Sequence, residues 1–161
     1  MEVRRIPMEQ LGPLLEEQLA HGFARLPVTG SSMLPMLREG RDIVRLVRAD
    51  GQLDRGEVLL YRRESGQYVL HRLIRMEDEA TCLCCGDNQW EQELVPRSGV
   101  IARVESFSRK GKWVDTHCHP GYLIYKFIWT ALFPVRRPII LARRLLGCLR
   151  RSIKQSRREA K

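Results

Sequence analysis

The chain of 161 residues has 28 Lys and Arg against 19 Asp and Glu, which gives a formal charge of +9, and 43% of its residues are hydrophobic. This composition excludes disorder throughout, and a mean hydropathy of -0.32 excludes a polytopic membrane protein. We expect one domain with a short appendage. The first residues lack the pattern of a secretory signal peptide.

The first predicted element is a helix from Met8 to His21, where leucines recur at helical spacing before Gly22 gives a stop signal. Short apolar runs separated by turn residues then predict five strands, at 42–47, 57–61, 67–74, 81–85 and 99–107. Because no helical pattern separates them, we expect a mainly β fold, an antiparallel barrel or sandwich with a helix toward each end. The predicted segments are an N-terminal helical segment 1–23, a β-rich domain 24–118 and a tail 119–161.

The tail begins with an apolar and aromatic stretch at 121–133, which contains Tyr122, Tyr125 and Trp129. Arginine pairs then recur every seven residues, at Arg136 and Arg137, Arg143 and Arg144, Arg150 and Arg151, and Arg157 and Arg158. Seven residues is close to two helical turns, so the pattern predicts a basic amphipathic helix that starts near Pro138.

Membrane-surface binding uses both faces of such a helix, so the leading interpretation is peripheral or monotopic attachment to an anionic membrane, on a side that stays open. The expected contact residues are Trp129, Arg136, Arg137, Arg143, Arg144, Arg150 and Arg151. A full span is disfavoured because the apolar run is short of about 20 residues. Three other interpretations are a partner's groove, a solvated face and nucleic acid. We expect no nucleic acid, because the aromatics precede the arginines instead of alternating with them.

Five cysteines are present, and Cys82, Cys84 and Cys85 crowd into one predicted strand. Their spacing lacks the two-residue gap of common zinc ligand pairs, so no metal site is expected there or at His117-Cys118-His119. Cys82 and Cys84 share one face of the strand and are predicted to be small core residues. No cofactor is expected.

The most informative stretch is Thr29-Gly30-Ser31-Ser32-Met33-Leu34-Pro35. Gly30 permits close backbone approach, and Pro35 stiffens the exit of a turn that would expose Ser32. A serine becomes a nucleophile only when a base takes its proton and donors hold the oxyanion. Taken alone, therefore, this segment predicts only a turn.

Further segments follow this turn in a set order. They are 55–61, then Val69-Leu70-His71-Arg72-Leu73-Ile74, then Gly86-Asp87-Asn88. Together with Ser32-Met33-Leu34-Pro35 they resemble the type I signal peptidase superfamily of serine endopeptidases, which shares its fold with self-cleaving repressor proteins. The resemblance covers roughly residues 24 to 107.

In that superfamily the serine before Met-x-Pro is the nucleophile, and the base is a lysine or histidine followed by arginine. The resemblance places His71 as the base here, because no lysine lies between Ser32 and Gly86. The chain is thus similar to the histidine-bearing branch found in endoplasmic-reticulum-type, archaeal and some sporulating-bacterial signal peptidases. An imidazole with a pKa of about 6.5 is already largely neutral at pH 7, so a histidine in place of the lysine base is chemically reasonable.

The resemblance implies that Ser32 attacks a peptide carbonyl while His71 acts as general base and then as general acid. Asp87 is expected to hold the imidazole or to support the site, and Glu91 and Glu93 are the nearest other acids. The expected substrate is a signal or leader peptide of a precursor protein, bound extended along a strand edge.

The same resemblance places the oxyanion hole and the substrate contacts in the turn. The backbone N–H of Ser32 is expected to be one oxyanion donor, and Gly30 or Ser31 the second. Met33 and Pro35 complete the expected binding segment.

Other interpretations of these residues stay open. His71 could be a half-buried strand residue and Gly-Asp-Asn an ordinary turn. The main alternative function is a non-enzymatic relative that binds a peptide or partner while its tail binds an acidic surface. A DNA-linked self-cleaving regulator is disfavoured, because the lysine base is missing and a helix-turn-helix has no room before Gly30.

Overall fold

The computed structural model describes the backbone of residues 8–142 and the side chains of residues 12–142. In chain order its named elements are α1 (Met8–Ala20), β1 (Ala24–Pro27), β2 (Asp42–Arg48), β3 (Val58–Arg62), β4 (Tyr68–Met76), β5 (Thr81–Cys85), β6 (Glu93–Pro96), β7 (Val100–Arg109), β8 (Lys112–Asp115) and α2 (Pro120–Ala131). Short 3-10 turns precede β7 and follow α2, and residues 136–142 are helical again. Of the tail arginines, Arg143, Arg144, Arg150 and Arg151 lie outside the described residues.

The strands form one antiparallel sheet in the order β1-β2-β7-β3-β4-β5-β6, with β8 paired to β7. The prediction of a mainly β fold with a helix toward each end is therefore confirmed. Among the described strands no pairing joins β1 to β6, so hydrogen bonds do not close the sheet into a barrel.

All five strands expected from the sequence are present, each within two residues of its expected bounds. The expectation missed β1, β6 and β8, each of which has only four residues. Four residues give too little alternation to distinguish a strand from a loop, and two of these strands end in proline.

Apolar clusters cover both faces of the central strand β3. Val58 and Leu60 belong to one cluster, whereas Leu59 and Tyr61 belong to the other, because successive strand residues point to opposite faces. The Leu59 cluster also contains Cys82 and Cys84, which confirms their prediction as core residues.

Side chains of α1 and α2 both pack in the Val58 cluster. Leu15 and Leu19 of α1 are each 2% exposed, and Tyr122 of α2 is 4% exposed. These three side chains place α1 and α2 against the same core as the strands. Within the described residues, no helix has both the length and the apolarity to cross a bilayer.

Two of the predicted membrane contacts are wrong. Trp129 is 9% exposed and donates its indole N–H to the Asp87 carbonyl at 3.2 Å. Arg136 is fully buried and donates two hydrogen bonds to the Trp129 carbonyl. Because both side chains make their hydrogen bonds inside the protein, neither is available to contact a membrane surface. Arg137, in contrast, is exposed and lies over the Trp90 ring.

Candidate functional site

The turn that carries Ser32 is anchored by the apolar residues that follow it. Met33 and Met36 are 3% and 4% exposed, and Leu37 is fully buried and donates its N–H to the Met33 carbonyl. Because these side chains fill the core, the preceding Ser31 and Ser32 are held outward, exposed and half-exposed respectively. Met33, predicted as a substrate contact, is therefore an anchor, whereas Pro35 is exposed.

The Ser32 turn lies directly against the Gly86-Asp87-Asn88 segment. Asn88 donates its backbone N–H to the Ser32 carbonyl at 2.7 Å and its side-chain amide to the Ser31 carbonyl at 3.3 Å. A Cβ atom on Gly86 would lie 2.8 Å from the Ser32 carbonyl oxygen, so only glycine permits this approach. Close packing against the Ser32 carbonyl therefore explains why residue 86 is a glycine.

Sheet register connects this segment to His71. β5 ends at Cys85, whose partner on β4 is Arg72, the neighbour of His71. The path from Ser32 to His71 therefore runs through the hydrogen bond to Asn88, back along the chain to Cys85, and across the strand pair to Arg72 beside His71. No hydrogen bond joins the Ser32 hydroxyl to the His71 ring within the described part of the chain. Hydrogen bonds of this kind are often long before substrate binds.

His71 is 2% exposed and its Nδ1 atom faces a tyrosine and a carboxylate. The Tyr61 hydroxyl lies 3.0 Å from Nδ1, and a Glu93 carboxylate oxygen lies 3.5 Å from it. Tyr61 also donates to the other Glu93 oxygen at 3.0 Å. Arg63 in turn donates two hydrogen bonds to Glu93, one of them at 2.8 Å.

These contacts select a tautomer of His71. The tyrosine has one hydroxyl proton, which it donates to Glu93, so its oxygen must accept the Nδ1 proton of the imidazole. The Nε2 atom of the neutral ring then carries the free lone pair. A histidine held in this way can accept a proton at Nε2, which is what a general base has to do.

The electrostatics of the cluster keep His71 neutral and Glu93 ionised. Burial lowers the pKa of His71, and this effect outweighs the opposing charge of Glu93. Burial alone would raise the pKa of Glu93, but hydrogen bonds from Arg63 and Tyr61 lower it overall. Near pH 7 the site therefore holds a neutral imidazole supported by a carboxylate.

The prediction that Asp87 holds the imidazole is wrong, because its carboxylate belongs to the opposite face of β4. Both oxygens of this fully buried side chain accept hydrogen bonds from Arg72 at 2.7 Å, and one also accepts from Tyr125 at 3.1 Å. No hydrogen bond to His71 is formed within the described residues. The alternative role, support of the site, agrees with these contacts because Asp87 precedes Asn88 and thereby fixes the segment that holds Ser32.

One expected oxyanion donor is already engaged. The Gly30 N–H donates to the Glu39 carboxylate at 3.2 Å, so it is not free in this structure. The N–H groups of Ser31 and Ser32 have no hydrogen-bond partner among residues 8–142. Of the three N–H groups expected as oxyanion donors, those of Ser31 and Ser32 are therefore not engaged within the described residues.

Residues of the C-terminal tail contact Asp87 and so hold the segment that binds the Ser32 turn. Trp129 and Tyr125 of α2 both donate to Asp87, and their rings stack 5.6 Å apart. Arg136 lies 4.0 Å from the Asp87 carboxylate. The Gly86-Asp87-Asn88 segment is therefore held between β4 and α2.

Comparisons with protein-family models, with curated proteins and with solved structures found no match for this chain.

Sequence reasoning missed two residues of the site, Tyr61 and Arg63. Tyr61 lies on β3 and Arg63 directly follows that strand, and Tyr61 is brought to His71 only by the strand pairing of Leu59 with His71. In the sequence, Leu59 and Tyr61 alternate along β3, and Arg63 follows at the next alternate position just beyond the strand. Without the register of β3 against β4, that alternation did not indicate His71.

Proposed function

We propose that this protein is a serine endopeptidase of the signal peptidase type, in which Ser32 is the nucleophile and His71 the base. The observation that carries the proposal is the hydrogen-bonded chain from His71 through Tyr61 to Glu93, which leaves Nε2 as the proton acceptor. We extend the proposal to the fold, an open β-barrel of that type in which β1 and β6 are not hydrogen-bonded to each other. Its support is eight antiparallel strands with apolar clusters on both faces of β3.

In the proposed reaction the Ser32 hydroxyl oxygen bonds to a peptide carbonyl carbon while its proton passes to His71 Nε2. The N–H groups of Ser31 and Ser32 stabilise the oxyanion. When the scissile C–N bond breaks, the proton moves from His71 to the departing amine. Water, deprotonated by the same ring, then hydrolyses the acyl-enzyme and restores Ser32.

The sequence left open whether Asp87 or a glutamate orients the His71 imidazole, and we assign this role to Glu93. Its negative charge favours the imidazolium that forms during the reaction, and Tyr61 transmits the orientation to Nδ1. Glu93 is held by Arg63, so the carboxylate does not need to be reoriented during catalysis.

The substrate of the proposed peptidase is an extended signal or leader peptide. β6 stands at one end of the strand order and carries Glu93. Its outer edge pairs with no other described strand, so we propose that an extended chain binds there beside the site. The alternative is a protein that binds such a peptide without cutting it, for which the same edge would serve.

The experiment that separates the two is digestion of a diverse peptide pool, with mass spectrometry of the products. We expect cleavage by the wild type and by Ser31→Ala, and none by Ser32→Ala. The neighbouring serine is a matched control, because it lies in the same turn. Uncut peptides with all three proteins, together with retention of some peptides on the immobilised wild type, would favour the binding protein.

A further inference from the structure

The outer face of α2 is apolar and exposed. Its side chains Leu123, Ile124, Phe127 and Ile128 are 38%, 61%, 74% and 48% exposed. They recur at the spacing of one helix face, and together they form a continuous patch that we call the α2 outer face. Contiguous exposed apolar patches on a protein surface mark interaction sites.

This face cannot turn inward, because the opposite side of α2 is fixed. Tyr122 packs in the core against Phe107, with ring centroids 5.8 Å apart. Tyr125 and Trp129 donate hydrogen bonds to the side chain and the carbonyl of Asp87. Rotation of the helix would break these contacts and leave the buried Asp87 carboxylate with fewer donors.

The charge of the chain is concentrated in the same region. Residues 116–161 contain eleven of the 28 Lys and Arg but only one of the 19 Asp and Glu. Residues 1–115 hold the other 17 basic and 18 acidic residues, so their formal charge is nearly zero. The net positive charge therefore lies in the part of the sequence that contains α2 and the residues after it.

Cationic groups also border the helix itself. Lys126 lies on α2, and Arg55 donates a hydrogen bond to the Thr130 carbonyl near the end of α2. Arg137 follows at the start of the next helical segment and is exposed. An apolar centre with a cationic border suits a surface whose interior is apolar and whose rim is anionic.

We propose that the α2 outer face docks on an anionic lipid bilayer, with the four apolar side chains inserted at the headgroup boundary. The partner is a lipid surface rather than a nucleic acid, because the centre of the patch is apolar and carries no charge for phosphates. This inference does not rest on the proposed peptidase activity. It replaces Trp129 and Arg136 as membrane contacts with the exposed residues of the α2 outer face.

Docking would also orient the site. Because Trp129 and Tyr125 hold Asp87 from the inner side of α2, the segment that binds the Ser32 turn is attached directly to the docked helix. The Ser32 turn would then be held at a set distance from the lipid surface.

The test is co-sedimentation of the full chain with vesicles of equal parts phosphatidylglycerol and phosphatidylcholine, against vesicles of phosphatidylcholine alone. The variants are Phe127→Gln and, as a second check, Ile124→Gln. Both are charge-neutral changes at exposed positions. The control is Leu94→Gln on β6, whose side chain is 66% exposed and lies outside the α2 outer face.

We expect the wild type and Leu94→Gln to bind the anionic vesicles, and both α2 variants to bind them at least about tenfold more weakly, with unchanged circular dichroism. Three results would overturn the proposal: no binding by the wild type, equal binding by wild type and α2 variants, or equal binding to the two kinds of vesicle. A wild type that self-associates without binding vesicles, while Phe127→Gln is monomeric, would assign this face to a second copy instead.

Discussion

Neighbouring residues on β4 serve two different purposes. His71 points to one face, where its acid Glu93 keeps 27% of its side chain exposed. Arg72 points to the other face, where both it and Asp87 are fully buried. One face thus holds a group that can exchange a proton, whereas the other holds a permanent ion pair sealed from water. We propose that the first face carries the chemistry and that the second holds the site in place.

The largest effect is expected on the sealed face. Asp87→Ala would leave the Arg72 and Arg136 guanidinium groups buried without their carboxylate. Removing one partner of a buried ion pair costs about 3–5 kcal/mol of unfolding free energy. Urea denaturation measures this loss, with Glu93→Gln as the comparison on the other face. Equal losses for the two variants would contradict the assignment of different purposes.

Glu93→Gln is expected to change activity more than stability. The amide keeps the size of the side chain but removes the negative charge that supports the imidazolium. We expect kcat/KM for a cleaved peptide to fall about 10²-fold, in the range of general acid–base effects. Glu91→Gln is the matched control, because that side chain is exposed and two residues away. A similar fall in both variants would remove Glu93 from the site.

Tyr61→Phe is expected to have a smaller effect. The ring stays in the core, but the hydroxyl that joins His71 Nδ1 to Glu93 is lost. Because the carboxylate still lies 3.5 Å from Nδ1, it can support the ring directly, and we expect kcat/KM to fall only about tenfold. Peptide cleavage rates measure this change. A loss as great as that of His71→Ala would mean that Tyr61 itself acts on the substrate.

The smallest effect is a shift of the acid limb of the pH profile. Since burial lowers the pKa of His71, the neutral base persists as pH falls below about 6.5, and kcat/KM should decline only below that value. The lowered pKa of His71 also adds to the free energy of unfolding. This contribution is complete above about pH 6.5 and is lost as the pH falls toward the lowered pKa. Cleavage rates and urea midpoints across this range measure both. An acid limb above 6.5 would show that the imidazole is favoured in its charged form.

The sequence predicted the five longer strands, because these depend on local alternation and turn residues. It also predicted, from Gly30 and Pro35, a turn that exposes Ser32, whereas the core role of Met33 was not predicted. It did not predict the partner of Asp87. Which face a carboxylate points to depends on the register of β5 against β4, and Arg72 was visible only as the residue after His71.

The tail shows the same limit on a larger scale. The recurrence of arginine pairs predicted one basic face that contacts a membrane, yet Arg136 is buried against Asp87 and Trp129. Periodicity identifies residues that share a face, but it cannot tell which face meets the rest of the protein. The segment after β5 decides this, because it presents the buried Asp87 carboxylate that Arg136 approaches.

The central claim is that His71 activates Ser32, and labelling of Ser32 by a serine-directed fluorophosphonate tests it without knowledge of the substrate. Intact-mass spectrometry follows the rate, and peptide mapping locates the adduct. We predict one adduct on Ser32 in the wild type, formed about 10²-fold more slowly in His71→Gln and at the wild-type rate in Ser31→Ala. Equal rates in the wild type and His71→Gln, or no adduct on Ser32, would contradict the account.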